Sequence, residues 1–411
     1  MLFWPSEKSV SAQERSRWGG NHHHDRRDKM ISITPGSHAF RLISMLLIVG
    51  EFPFQGLGLI GDARTLKALA VKMSQPHEVQ YNHKSVSYNG RILLISGSGR
   101  YKTIRLYKWF FPVLEKYFHD AYRYYLFEHP NHNFHSERNK IERNHRVAEA
   151  LSFMLLSGIE SRPYKTPTLQ RMTIDRKPYL EPAYYSSRMV KSLVDSQLQK
   201  TQYTRYVGIL LYQTGYYVIY NSRKAVMRWN GEGEQKTTLD VSNLCSMNCE
   251  STGLRSAILL GYDYQVAMNT INQYESGSRY VKLFSQNYHR IHFIPMTEEG
   301  IKMLQILVVP NWQHRILHML FEEEQIRLNT GSFQFDALVD DTRVLCFMDC
   351  DILKLISFYK AAREGDFSWS VVCYDSQVEF LRSYLGDTAD LRSFDLNDFH
   401  TEMEANRKAL L

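Results

Sequence analysis

The sequence predicts an α/β protein (α+β overall) in which a small helical unit bearing a hairpin precedes alternating strands and helices. Three observations predict it. Residues Gly36 to Lys108 read as a helix, a short extended piece, a second helix and a basic hairpin. From Tyr203 onward, apolar runs of strand length alternate with stretches of helical periodicity. A chain of 411 residues, 44% hydrophobic and 13% aromatic, also has material for more than one core.

The first helix, GSHAFRLISMLLIVG, sets Phe40, Ile43 and Leu47 on one face with Leu42, Leu46 and Val49 beside it. That is a wide apolar stripe at helical spacing. Gly50 ends the helix, and EFPFQ runs through GLGLIG into a second helix, DARTLKALAVKM, with Asp62 as its expected N-cap. Ala63, Leu66, Leu69, Ala70 and Met73 must pack inward. Arg64, Lys67, Ala68, Val71 and Lys72 form an outer side that is basic and small. After Pro76, RILLIS and YKTIRLYK flank Ser96-Gly97-Ser98-Gly99, where glycine reaches positive φ without steric cost. A tight hairpin is expected.

Five basic residues (Arg91, Arg100, Lys102, Arg105 and Lys108) and no acid fall between Arg91 and Lys108. A basic helix followed by a basic hairpin is the pattern of a winged helix-turn-helix. Its helix enters the major groove while the wing meets flanking phosphates or the minor groove. Double-stranded DNA is therefore the expected partner. Arg64 and Lys67 are assigned to base edges, Arg100, Lys102 and Arg105 to phosphates, with Lys72, Arg91 and Lys108 completing the set. The alternative is a solvated basic hairpin on an enzyme.

Residues 1–29 have the composition of a disordered leader that includes His22 to His24, and Met30 is a credible second start. The aromatic run after the hairpin is expected to cover the winged helix, closing a domain over residues 30–125. His129, His132 and His135 then recur every third residue. With no acid or thiol partner nearby, they read as loop histidines rather than a metal site. SERNKIERNHRVAEALSFMLLSG is a strong helix ending at Gly158, with Val147, Ala150, Leu151, Met154 and Leu155 on its buried side. Its other face, Arg138, Glu142, His145 and Glu149, is expected to be exposed and ion-paired.

An α/β domain over residues 136–321 follows. RYVGILLY and YYVIYN form an antiparallel pair around Thr214-Gly215, and a helix covers Leu239 to Met247. SAILLG and HRIHFIPM are strands, each followed by a helix. A C-terminal α/β segment, residues 333–411, repeats the rhythm: strand RVLCFM, helix ILKLISFYKAAR, strand WSVVCYD, helix SQVEFLRSYLG. Several strands are apolar enough for a sheet covered on both faces.

The formal charge of +7 is uneven. From Glu298 onward 20 acids face 11 Lys or Arg, a balance of −9 that leaves +16 on the rest. A nucleic-acid-facing front and an acidic back are expected, the back serving solubility or docking a basic protein or a second copy of the chain. The five cysteines, in two C-x3-C pairs and a single Cys373, fit neither a disulfide framework nor a zinc knuckle. Free thiols in a reducing cytoplasm are expected. The longest apolar run is too short for a membrane span, and no signal-peptide core begins the chain, so no membrane partner is expected.

Two enzyme classes match part of the pattern. Asp349-Cys350-Asp351 ends a strand, with Asp340 and Asp341 upstream, as in phosphoryl-transfer sites that hold magnesium. However, Leu353 stands where such a site has Thr or Val, and no downstream Lys has the expected context. A solvated strand end with Asp351 capping the next helix is the preferred reading. A restriction-endonuclease-like core would take Glu142 and Glu149 from the helix, but GYYVIYNSRK and RYVGILLY carry no carboxylate. Such a core would be degenerate. No Walker A loop, dinucleotide glycine pattern or G-x-S-x-G elbow is found. No catalytic residue, cofactor or metal is assigned.

Several runs carry a resemblance: ITPGSHAFRLISMLLIVGEFPFQGLGLIG, SGSGRYKTIRLYK, RNHRVAEAL, TRYVGILLYQTGYYVIYNSRKAVMRWNGEGE and RIHFIPMTEEGI. From about Met30 to Phe321 the chain resembles replication-relaxation proteins of plasmids and integrative conjugative elements of Gram-positive bacteria. The resemblance implies a winged-helix DNA-binding accessory protein for mobilisation or replication, with a relaxase or other mobilisation protein as partner. It supports DNA binding more firmly than any reaction. A transcriptional regulator of the element differs only in where its DNA site lies, and a metal-dependent nuclease would use Glu142, Glu149, Asp349 or Asp351.

Overall fold

The computed structural model describes residues 30–161, 181–193, 205–229, 231–248, 254–284, 287–327 and 335–410. The expected leader with His22 to His24, and Cys249, lie outside the described residues. The fold is mixed α/β and divides into two compact units at Ser152 and Phe153. This boundary differs from those expected near residues 125–136 and 321–333, for reasons visible in each unit.

The first unit opens with β1 (Met30–Ile33) and α1 (His38–Val49). Ser37 caps α1 by accepting from the Phe40 N–H at 3.2 Å, and Ala39, Leu42, Ile43, Met45, Leu46 and Leu47 are buried. Gly50 sits at φ 78° and donates to Leu46, and a Cβ there would run into the His129 ring. Glycine is required on both counts. Strand β2 (Glu51–Pro53) and a 3-10 turn at Phe54–Leu59 lead to α2 (Ala63–Met73). Asp62 Oδ1 accepts from the Thr65 N–H at 2.8 Å, the expected cap.

After α2 comes a hairpin that its residues do not announce, β3 (His77–Tyr81) and β4 (Lys84–Gly90). Its turn is Asn82-His83, both at positive φ. Asn tolerates that region, but the pair lacks the glycine that announces a hairpin turn. Strand β3 also pairs in parallel with β1. A basic hairpin follows as β5 (Leu93–Ser96) and β6 (Thr103–Leu106), but residues 97–102, with a 3-10 turn at Gly99–Tyr101, join the strands in place of the tight turn expected at Ser96–Gly99, and the sheet order is β2-β6-β5, antiparallel throughout. Helices α3 (Phe111–Tyr117), α4 (His119–Glu128) and α5 (Arg138–Leu156) follow. The unit boundary falls inside α5, so the aromatic segment and most of α5 belong to the first unit.

The second unit holds a six-stranded sheet of order β12-β11-β10-β9-β8-β7. Its strands are β7 (Glu160–Ser161), β8 (Ala183–Ser186), β9 (Gly208–Tyr212), β10 (Gly215–Arg223), β11 (Ser256–Gly261) and β12 (Arg290–Pro295). Strands β9 and β10 form the expected antiparallel pair, whereas β10, β11 and β12 run parallel. The described helices here are α6 (Ser187–Leu193), α7 (Glu232–Asn248), α8 (Tyr264–Glu275), α9 (Glu298–Leu307) and α10 (Trp312–Leu320). Every residue of β8, β9 and β11 is buried, which fits a sheet covered on both faces.

A second sheet, β13-β14-β15-β16, comes from the tail: β13 (Ala337–Val339), β14 (Thr342–Cys346), β15 (Trp369–Tyr374) and β16 (Asp390–Phe394). Strands β14, β15 and β16 run parallel, with α11 (Ile352–Glu364) and α12 (Val378–Leu385) between them and α13 (Leu396–Leu410) after them. The segment after β14 reaches β12: the Phe293 N–H donates to the Cys350 carbonyl at 2.9 Å, and His292 bridges Asp351. This link places the expected C-terminal segment in the same unit as the large sheet.

Candidate nucleic-acid interface

The inner side of α2 buries Leu66, Ala70 and Met73, while Ala63 and Leu69 are only half-buried. Its outer side leaves Arg64, Ala68 and Val71 exposed, with Lys67 and Lys72 partly so. The face is basic, its apolar residues are Ala68 and Val71, and Asp62 is held as a cap at its N-terminal end. The Asp62 carboxyl lies below the usual carboxylate range because Thr65 hydrogen-bonds it and Arg64 is near.

The β5–β6 hairpin gathers its cations at two ends. At the tip, Arg100 is exposed and lies over the Tyr101 ring, with its Nη2 donating to the Tyr101 hydroxyl at 2.5 Å. Arg138, from the start of α5, approaches the same ring at 5.6 Å. Lys102 places its ammonium 4.1 Å from the centroid of Phe54. At the open end, the Ile92 N–H donates to the Met73 carbonyl and the Tyr107 N–H to the Ile92 carbonyl. Those bonds fix the end of α2, Arg91 and the Lys108–Phe110 turn beside one another, with Arg91 and Lys108 exposed. Arg138 was read only as part of a helix face, since nothing in its local sequence announces the Tyr101 contact.

Arg105 has a different occupation from the phosphate contact expected of it. Its guanidinium binds Glu51 Oε2 through Nε at 2.9 Å and Nη2 at 2.7 Å, and it covers the Phe134 ring at 4.6 Å. Glu51 is 1% exposed, and its other oxygen accepts from Asn144 at 2.6 Å. The expected exposed face of α5 is corrected as well. Glu142 pairs with Arg146 near the surface at 3.3 Å, but His145 and Glu149 are fully buried. His145 Nε2 lies 2.8 Å from the Thr103 hydroxyl on β6, and Glu149 lies beside Gly56. Helical spacing placed these residues on one face, but that face meets the small sheet rather than water. Further on, burial with Arg105 and Lys108 nearby pushes the His132 imidazole down to about 4, and its ring packs on Phe111 and Phe134.

In the second unit, the Asp349-Cys350-Asp351 segment is not the solvated strand end expected. Asp349 and Asp351 are each 3% exposed. Asp351 does cap α11, accepting from Leu353 at 3.0 Å, and also accepts from the β12 residue Ile291 at 3.2 Å. Lys354 Nζ lies 2.7 Å from Asp336 and 3.8 Å from Asp349. Burial opposes the Lys354 charge, yet Asp336 and Asp349 outweigh it and raise its pKa. Burial and the Asp349 charge push Asp351 up to about 7. The His292 Nδ1–H donates to the Asp349 carbonyl at 2.7 Å, and burial lowers the imidazole to about 4. The cleft lined by Trp312, Asp336, Asp349 and Lys354 has a cavity volume of about 10 Å³, room for about one water. These bonds tie α11 to β12 and to the segment before β13 inside the unit.

Cys245 is buried, and Cys346, Cys350 and Cys373 are buried thiols whose pKa burial raises. Among the described residues, no group of three or more His, Cys, Asp or Glu is arranged to hold a metal, and no helix is long and apolar enough to cross a membrane. No protein-family model, curated protein or solved structure matches the chain.

Proposed function

We propose that this chain is a double-stranded DNA-binding accessory protein of the replication-relaxation type, acting in the cytoplasm in mobilisation or replication of a plasmid or conjugative element. The observation that carries the reading is the build of the first unit. Helix α1, strand β2, a 3-10 turn, helix α2 and the β5–β6 hairpin follow one another, with β6 central in the order β2-β6-β5. That order supports a winged helix-turn-helix in which a 3-10 turn stands for the short middle helix and the β3–β4 hairpin is an insertion. The exposed Arg64, Arg91, Arg100 and Lys108, and the partly exposed Lys67, Lys72 and Lys102, then lie on the helix and wing that would meet DNA.

The large sheet of the second unit lends no support to nuclease chemistry. Its strands β9 and β10 carry no carboxylate, Glu149 is buried in the first unit, and Asp349 is held against Lys354. We read the second unit as a surface for protein contact, with a relaxase or a second copy of the chain as the partner.

Titrating the full chain with duplex DNA from the element at several salt concentrations tests the reading. Wild type should lose affinity steeply with salt, and the double variant Arg100→Ala/Lys102→Ala should weaken binding to all sequences and flatten the slope by about one to two counterions. Arg64→Ala/Lys67→Ala should instead reduce discrimination between sequences. An unchanged slope for the first variant removes the wing from the interface.

A further inference from the structure

Trp109 is 76% exposed, the most exposed large hydrophobic side chain described. Singly exposed apolar residues are ordinary on protein surfaces. The setting of this one is not. It occupies the middle of the Lys108–Phe110 3-10 turn, and the next residue, Phe110, is fully buried. The Phe110 ring stands edge-on to Tyr88 at 5.2 Å, and the Tyr88 hydroxyl donates to the Arg91 carbonyl. The Tyr107 N–H donates to the Ile92 carbonyl at 2.8 Å. The indole is thus presented from a turn locked on both sides.

Its immediate surroundings are cationic. Lys108 precedes it and is exposed, and Arg91 is exposed across the hairpin. Lys72 lies at the end of α2, beside the Met73 carbonyl that receives the Ile92 N–H. The first acid that follows in the chain is Glu115, on α3. An exposed aromatic ring on a held turn, among cations that can track a phosphate backbone, is the composition of a stacking platform for an unpaired base. The platform lies just past the C-terminal end of α2. A duplex seated on α2 and the wing, with its end or fork at this turn, would set its first unpaired base against the indole.

We propose that Trp109 stacks on an unpaired base at a duplex–single-strand junction, and that the protein prefers forked or tailed DNA to blunt duplex. This rests on the DNA-binding reading above and adds the structure of the substrate to it.

The test uses the full chain, a blunt duplex and the same duplex carrying a single-stranded tail, with 2-aminopurine as the first unpaired base. Wild type should bind the tailed probe at least about fivefold more tightly, the lower end of what one stacked base contributes, and should quench the 2-aminopurine signal. Trp109→Ala should abolish both the preference and the quenching while leaving blunt-duplex affinity within about twofold, and Trp109→Phe should keep part of each. Equal binding of both probes by wild type, or a preference untouched in Trp109→Ala, overturns the stacking role alone. A wild-type chain that binds neither probe overturns the DNA-binding reading as well.

Discussion

Arg100 and Arg105 lie on the same hairpin, yet one is exposed at the tip and the other is bound to a carboxylate that is almost fully buried. Removing Arg105 leaves Glu51 with Asn144 as its remaining described hydrogen-bond partner. Breaking such a buried pair from one side costs about 3–5 kcal/mol. Arg105→Ala should therefore lower the urea midpoint of the protein, whereas Arg100→Ala should leave it unchanged and alter only the salt dependence of DNA binding. The sequence showed that both residues were basic, but only the pairing of Glu51 with Arg105 across β2 and β6 separates their roles. The buried acid cluster makes a second prediction. Asp351 has its pKa raised from 3.8 to about 7, so between those values the folded chain holds a proton that the unfolded chain has released. Its contribution to stability is thus greatest below about pH 4 and is lost as pH rises towards 7. His292, lowered to about 4, acts in the opposite sense: the unfolded chain takes up its proton first as pH falls below about 6.5, so stability falls with falling pH. The two oppose each other between about pH 4 and 6.5, which hides both in wild type. Asp351→Asn keeps an N-cap and removes the titration. Its stability relative to wild type should rise across pH 4 to 7, as thermal melts at several pH values would show, and a constant difference would exclude a raised pKa.

At the scale of elements, legibility followed local chemistry. Helices α1, α2, α5, α8, α9 and α11 stood out because an apolar stripe, a cap or a closing glycine marks each of them. Strands β9, β11, β12, β14 and β15 stood out as apolar runs. What escaped were elements whose residues do not advertise their partners. Strand β4 alternates polar residues on a largely exposed hairpin, β8 is the short run Ala-Tyr-Tyr-Ser, and β16 is a mostly exposed strand reading Asp-Leu-Arg-Ser-Phe. Each is a strand only because a neighbour supplies the ladder, and that information is not local. One glycine shows the same limit. Gly300 lies in the first turn of α9, capped by Thr297 at 3.2 Å, and looks like a residue that alanine would improve. A Cβ there would fall on the Pro295 carbonyl at the end of β12. Gly300→Ala should destabilise by about 1–3 kcal/mol through that clash, despite its better helix propensity. An unchanged or raised denaturation midpoint would mean that α9 can shift away from β12.

For the whole molecule, the acidic excess at the surface is smaller than the residue count implies. Of the 20 acids from Glu298 onward, Asp336, Asp349 and Asp351 are buried, two of them against Lys354, so they do not present free carboxylates to a partner. The outward acidity rests on residues such as Glu322, Glu323 and Glu324, which are consecutive and exposed after α10. Nor can the tail be removed to test its role. Its segment after β14 bonds to the backbone of β12, so truncation near Phe321 would strip partners from the large sheet. Charge reversal is the cleaner experiment. Glu322→Lys/Glu323→Lys/Glu324→Lys leaves the described backbone bonds of both sheets in place and should melt within a few degrees of wild type. At about 0.15 M salt exposed charges are strongly screened, so affinity for element DNA should change by no more than about twofold. At low salt, association should be faster, because an opposing part of the field has been reversed. If the acidic surface docks a basic mobilisation protein, the triple variant should lose capture of purified relaxase and reduce element transfer at least tenfold. Unchanged capture and transfer, in a variant that folds and binds DNA normally, would leave that surface with solubility as its only role.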